Sequence, residues 1–170
     1  MSDKTARMLR VDQAGEFGAT RIYGGQIAVM GNRAPNASLV AGMAAQEVGH
    51  RERFDAMMTE RGVRPTVLQP VWSAAGYALG AATALLGPEA AMACTAAIET
   101  EIDRHYTQQL DELGDEDPEL AGAIREFRDD EREHRDIAFE AGARDAPAYP
   151  LLSGAIRLGC RVAIRLSERL

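Results

Sequence analysis

The stretch Leu39-Val-Ala-Gly-Met-Ala-Ala-Gln-Glu-Val-Gly-His-Arg-Glu-Arg-Phe-Asp-Ala-Met57 decides the fold. Within it Leu39, Met43, Glu47, His50, Phe54 and Met57 recur at steps of four, four, three, four and three. That spacing is one face of an α-helix turned into a bundle. Glu47 and His50 stand inside the apolar stripe rather than opposite it. An ionised carboxylate on a buried face is costly unless it is paired or coordinated. A second stretch repeats the pattern: Leu120, Ile124, Phe127, Glu131, His134, Ala138 and Ala141 share a face, again with Glu-x-x-His on the stripe.

Each Glu-x-x-His has a further acid upstream, Glu16 at 31 residues before Glu47 and Glu99 at 32 before Glu131. Helical period selects Glu99 over Glu101. Glu99 falls within the arc of Thr95, Ile98, Ile102, Tyr106, Leu110 and Leu113, whereas Glu101 is expected on a wetter face. Between Val11 and Met30 the acids are Asp12 and Glu16, and Glu16 shares a face with Tyr23, Ile27 and Met30. Glu52 and Glu133 are read as solvated neighbours. One Glu-x-x-His alone is ordinary helix-surface charge; two on matching core stripes, each with an acid at a matching interval, point to a metal centre. Two divalent cations and four carboxylates sum to zero charge, so the buried site is neutral overall. A ferritin-like bundle assembles a two-metal site in this way, with one Glu from each of two helices and Glu-x-x-His from each of the other two. Carboxylate and imidazole donors suit iron or manganese, and iron is favoured because the set leaves positions open for oxygen. Glu47 and Glu131 are expected to bridge, with Glu16 and Glu99 terminal. Each ligating imidazole should give its other N–H to an acceptor, for which Asp12 and Asp103 are the candidates.

Turn signals at Gly31–Asn36, Arg61–Pro65, Gly87-Pro88, Gly114–Pro118 and Asp145–Pro147 divide the chain. They predict helices over about 4–31, 36–61, 66–86, 88–113, 117–143 and 148–168. No segment alternates like a strand. The fold expected is all-α, a ferritin-like four-helix bundle with two additional helices (66–86 and 148–168), in a single domain over 1–170. With 19 Lys and Arg against 26 Asp and Glu, and no dominant basic face, nucleic-acid binding is excluded as a function class. Cys94 and Cys160 lack a C-x-x-C partner, so a reducing compartment is expected. The start MSDKTARML has no apolar run of signal-peptide length and is expected to be mature sequence.

Longer strings carry a resemblance. Arg10-Val-Asp-Gln-Ala-Gly-Glu-Phe-Gly-Ala-Thr-Arg-Ile-Tyr23, Val63-Arg-Pro-Thr-Val-Leu68, Ala81-Ala-Thr-Ala-Leu-Leu-Gly87, Ala91-Met-Ala-Cys-Thr95, Ala146-Pro-Ala-Tyr149 and Gly159-Cys-Arg-Val-Ala-Ile164 resemble the demethoxyubiquinone hydroxylase family over nearly the whole chain. The chain departs from that pattern at Gln13, where many members carry His, and at Arg104, which replaces one of a His pair. The resemblance places six metal ligands on Glu16, Glu47, His50, Glu99, Glu131 and His134, the residues already selected from periodicity. It implies two iron ions (Fe2+/Fe3+) that use O2 to hydroxylate the ring of a polyprenyl quinone or quinol. His105 and Tyr106, on the helix of Glu99, are the expected proton or electron relay. NADH is the implied electron donor, directly, through the quinone or through a separate reductase; no G-x-G-x-x-G dinucleotide motif follows a strand. Another ferritin-like oxidase or peroxidase, or an iron-binding protein without turnover, are the alternatives.

A polyprenyl substrate requires access to a bilayer. Residues 66–87 carry no charge, which suits an interfacial or partner-packed helix, a buried bundle helix whose Gly76-x-x-x-Gly80 allows close packing, or a membrane span. Arg157, Arg161, Arg165 and Arg169 form a basic stripe beside Ile156, Cys160, Ala163 and Ile164. Such a stripe is attracted to an anionic membrane surface, unless the bundle's own acids pair with it. The expectation is peripheral association with the cytoplasmic face of the cell membrane, or with the matrix face of the inner mitochondrial membrane in a eukaryote. A homo-oligomer and a lipid-binding biosynthesis partner are also expected.

Overall fold

The computed structural model describes residues 2–170, so of the expected unit 1–170 only Met1 lies outside it. Six α-helices and one short 3-10 turn follow one another: α1 Asp3–Met30, α2 Ala37–Arg61, α3 Gln69–Leu85, α4 Pro88–Leu113, α5 Pro118–Glu140, the turn Ala143–Asp145, and α6 Tyr149–Ser167. No strand occurs among the described residues. Local chemistry sets the boundaries. The Ser2 hydroxyl accepts from the Thr5 N–H at the start of α1, and the Asp117 carboxylate accepts from the Leu120 N–H at the start of α5. Pro88 and Pro118 occupy first turns, where a missing N–H costs nothing. Gly62 ends α2 at φ 65°, a left-handed conformation that glycine adopts without strain. The third helix starts at Gln69 rather than 66, with Pro70 likewise in its first turn, where a missing N–H costs nothing. The fifth ends at Glu140, and the 3-10 turn begins at Ala143, the last residue of its expected span.

Helices α1, α2, α4 and α5 make the four-helix bundle, with α1 packed on α2 and α4 on α5. The other two lie outside it, α3 along α1 and α6 along α4. One apolar cluster joins Tyr23, Val40, Met43, Met92 and Ala138. The other joins Leu9, Phe54, Met57, Tyr106, Leu120 and Phe127. As numbering rises along α2 it falls along α5 between these clusters, so the two helices are antiparallel. Glu47, His50, Glu131 and His134 fall in the stretch between the two clusters.

Two packing expectations are corrected. Leu39 is 39% exposed while Val40 is fully buried, so the α2 stripe begins at Val40. The apolar neighbours 39 and 40 both fit the helical period, and only the seating of α2 chooses between them. Glu101 is buried rather than on a wet face, because α6 covers that side of α4. Its Oε1 accepts from Arg157 Nε at 2.6 Å and from Arg161 Nη1 at 3.2 Å. Half of the basic stripe of α6 therefore pairs with the bundle.

Candidate metal centre

All six residues selected from the sequence converge. Donor atoms of Glu16, Glu47, His50 and Glu131 lie within 4.8 Å of one another, and so do those of Glu47, Glu99, Glu131 and His134. Glu47 and Glu131 belong to both groups, the position expected of bridging carboxylates; Glu16 and Glu99 belong to one each. His50 Nδ1 faces Glu131 Oε1 at 3.2 Å and Glu16 Oε2 at 3.6 Å. His134 Nδ1 faces Glu47 Oε1 and Glu131 Oε2, both at 3.1 Å. Each histidine turns the same ring nitrogen inward.

Within this cluster Glu16 Oε2, both oxygens of Glu47 and Glu99 Oε2 are buried without a hydrogen-bond partner. Buried polar atoms are almost always satisfied, and an unpartnered buried carboxylate is strongly unfavourable. The donor set is thus matched to cations rather than to protein donors, and its oxygens and imidazoles are those that iron accepts.

The electrostatics agree. Burial first, then the neighbouring carboxylates, raise Glu47 and Glu99 well above the usual carboxylate range. Glu131 is pushed up to about 7 by burial, with His50 opposing the shift and Glu16 adding to it. Burial would lower His50, but its contacts with Glu131 and Glu16 prevail and push it up to about 11. Burial lowers His134. In the metal-free protein, protons therefore take the place of cations.

Two tyrosines brace the carboxylates of Glu99 and Glu16. Tyr23 on α1 donates to Glu99 Oε1 on α4 at 2.9 Å, and Tyr106 on α4 donates to Glu16 Oε1 on α1. Each lies seven residues after the Glu of its own helix and serves the Glu of the other. Burial, and then respectively Glu99 and Glu16, hold both phenols protonated well above their usual range. The role of Tyr23 was missed in the sequence, although the repeated seven-residue interval was available there.

The acceptors expected for the imidazoles are corrected. His50 Nε2 meets Asp130 Oδ2 at 3.0 Å and His134 Nε2 meets Gln46 Oε1 at 2.8 Å, so neither ring uses Asp12 or Asp103. Asp103 instead accepts from Arg132 and Arg135, clasping α4 to α5 at the surface. Asp12 is buried with both oxygens lacking hydrogen bonds, and its Oδ1 lies 3.4 Å from His105 Nε2. His105 lines a surface cleft of about 300 Å³ together with Lys4, Arg7, Val11 and Glu112. The Phe127 ring stacks on the His50 imidazole at 4.1 Å between centroids.

The family model described as ubiquinone biosynthesis protein COQ7 matches residues 3–167. The chain is similar to a 3-demethoxyubiquinol 3-hydroxylase of Rhodospirillum rubrum, 56% identical over 163 residues and covering 96% of this chain and 77% of that protein. A mitochondrial NADPH-dependent 3-demethoxyubiquinone 3-hydroxylase of Homo sapiens is 52% identical, with the same coverage of 96% and 77%. The mitochondrial 5-demethoxyubiquinone hydroxylase of Saccharomyces cerevisiae is 41% identical, again covering 96% and 77%.

Proposed function

The chain belongs to the ubiquinone biosynthesis protein COQ7 family, a premise from which we propose that it hydroxylates the ring of a demethoxylated polyprenyl quinone or quinol, using dioxygen at a pair of iron ions. The observation that carries this reading is the pair of four-residue groups sharing Glu47 and Glu131, with buried oxygens that no protein donor satisfies. Bound there, iron supplies the reduction of dioxygen, with one oxygen atom going to the ring and the other leaving as water. That balance consumes two electrons and two protons besides the ring hydrogen replaced. The electrons come from a reduced nicotinamide. The expectation from sequence was NADH, whereas the human relative's name specifies NADPH.

The chain's own residues hold, orient and protonate. Glu16, Glu47, His50 and Glu131 hold one ion, and Glu47, Glu99, Glu131 and His134 the other. Tyr23 and Tyr106 fix the carboxylates of Glu99 and Glu16 by donating to one oxygen of each, which leaves the second oxygen for the ion. His105 and Asp12 form a proton route from the cleft toward Glu16, with Tyr106 at its inner end. Residues 1–170 act as one such unit.

Substrate reaches the site from a membrane surface to which the chain binds peripherally, on the cytoplasmic face or, in mitochondria, the matrix face. Among the described residues no helix is long and apolar enough to cross a membrane. Outward-facing Val67, Val71, Leu85 and Leu86 around α3, and Leu151 and Leu158 on α6, support this.

Iron-loaded protein incubated with a demethoxyquinone, NADPH and 18O2 is expected to give a product carrying one labelled oxygen. Consumption of reductant at full iron occupancy with no hydroxylated product would overturn the reading in favour of an oxidase.

A further inference from the structure

The repeat that builds the centre extends one residue upstream of each Glu-x-x-His, and there its two copies differ in charge. Gln46 precedes Glu47, and Asp130 precedes Glu131. Because α2 and α5 run antiparallel, each reaches the histidine of the opposite helix: Gln46 Oε1 accepts from His134 Nε2 at 2.8 Å, and Asp130 Oδ2 from His50 Nε2 at 3.0 Å. Such an N–H donor contact fixes the tautomer and leaves the Nδ1 lone pair for the interior, where both rings point it. The other members of the two groups match. Each has one tyrosine-bonded Glu, one histidine and the two shared Glu residues. The acceptor behind the imidazole is where the chemistry of the two halves parts.

A carboxylate accepting the imidazole N–H polarises the ring and raises the basicity of its other nitrogen. A neutral amide oxygen does so less. We propose that Asp130 and Gln46 are crossed positioning residues that make the two cation positions unequal. The position at Glu16, Glu47, His50 and Glu131 holds its ion more tightly than the one at Glu47, Glu99, Glu131 and His134. This rests on the reading that the six residues hold two ions. Asp130 is partly solvated (34% of its side chain exposed) and Gln46 is exposed, so both can be exchanged without disturbing the core.

The test is an anaerobic titration of the metal-free protein with Co2+, followed by calorimetry and visible absorption, with Mössbauer spectra of the 57Fe2+-loaded protein. Wild type is expected to bind two ions in separate steps and to show two doublets of equal area. Asp130→Asn is expected to weaken the tighter step by about 10-fold or more, within the range typical of partners behind metal ligands, and to draw the doublets together. Asp130→Glu, which keeps a carboxylate acceptor, should restore the separation, and Gln46→Glu should strengthen the weaker step. All three variants should keep the helical content of the metal-free protein, because neither position is buried. Two equal steps in wild type would overturn the proposal, as would separate steps that Asp130→Asn and Gln46→Glu leave unmoved. In either case two bound ions would leave the proposed function standing. Failure of wild type to bind two ions would overturn both.

Discussion

Glu131 touches both halves of the centre, its two oxygens lying 3.2 Å from His50 Nδ1 and 3.1 Å from His134 Nδ1. On the proposed function, removing it would take a donor from both ions at once. Glu131→Ala is therefore expected to reduce bound iron from two ions per chain toward none and to abolish product, while circular dichroism shows the helices intact. Turnover at full iron content in that variant would contradict the ligand assignment. The same residue sets a pH dependence. Glu131, at about 7, and Glu47 and Glu99, also raised, hold protons in the folded metal-free protein that the unfolded chain has already released. Stability from these groups is thus fully present below their unfolded values and is lost as pH rises through their raised folded values, which for Glu131 is about 7. The melting temperature of metal-free protein is expected to fall between pH 5 and pH 8, and saturating Fe2+ or Co2+ should remove that fall by displacing the protons. A melting temperature rising over this range without metal would show that the carboxylates do not repel one another. At this scale the six convergent residues were legible because each sits on its own helix's apolar stripe. Asp130 and Gln46 were not, because an acceptor is recognised only by the ring opposite it.

Helix α3 shows how backbone contact seats an element. A Cβ on Gly80 would lie 1.9 Å from the Ile22 carbonyl oxygen, and one on Gly25 2.2 Å from that of Tyr77. The glycines let α1 and α3 meet backbone to backbone, which no side chain permits. Gly80→Ala must push α3 off α1 and is expected to destabilise by about 3 kcal/mol, the upper range for overpacking, or about 6–12 °C in melting temperature at this chain length. Gly15→Ala, where nothing lies within 4 Å, should be neutral or stabilising by about 0.5–1 kcal/mol. Equal melting temperatures for the two variants would show that the α1–α3 contact is loose. Gly76-x-x-x-Gly80 was legible as a packing motif. The burial of Glu101 was not, since it depends on α6 returning across α4 some 56 residues later.

At the scale of the whole molecule, α3 and α6 lie outside the bundle and are tied together by Trp72 Nε1 donating to Ser167 Oγ at 3.0 Å. Their apolar side chains remain exposed, Leu85 at 75% and Leu151 at 78%, with Arg165 and Arg169 also exposed. An apolar face flanked by cations is drawn to an anionic interface. The protein is expected to float with vesicles containing anionic lipid. Leu85→Glu combined with Leu151→Glu should abolish flotation while two irons remain bound, because both positions are remote from the metal ligands in sequence and in burial. Flotation unchanged in that variant would place the contact elsewhere.

Helices, their order and the six convergent site residues were all legible in the sequence, because helical periodicity and turn chemistry are local and a buried acid announces itself on an apolar stripe. Tertiary structure alone decided which partner each of those residues meets: Tyr23 for Glu99, Asp130 for His50, Gln46 for His134, and two arginines for Glu101. These pairings join separate helices, and their identity depends on the register and rotation with which the helices pack. That information belongs to the packed bundle and to no single segment of the chain.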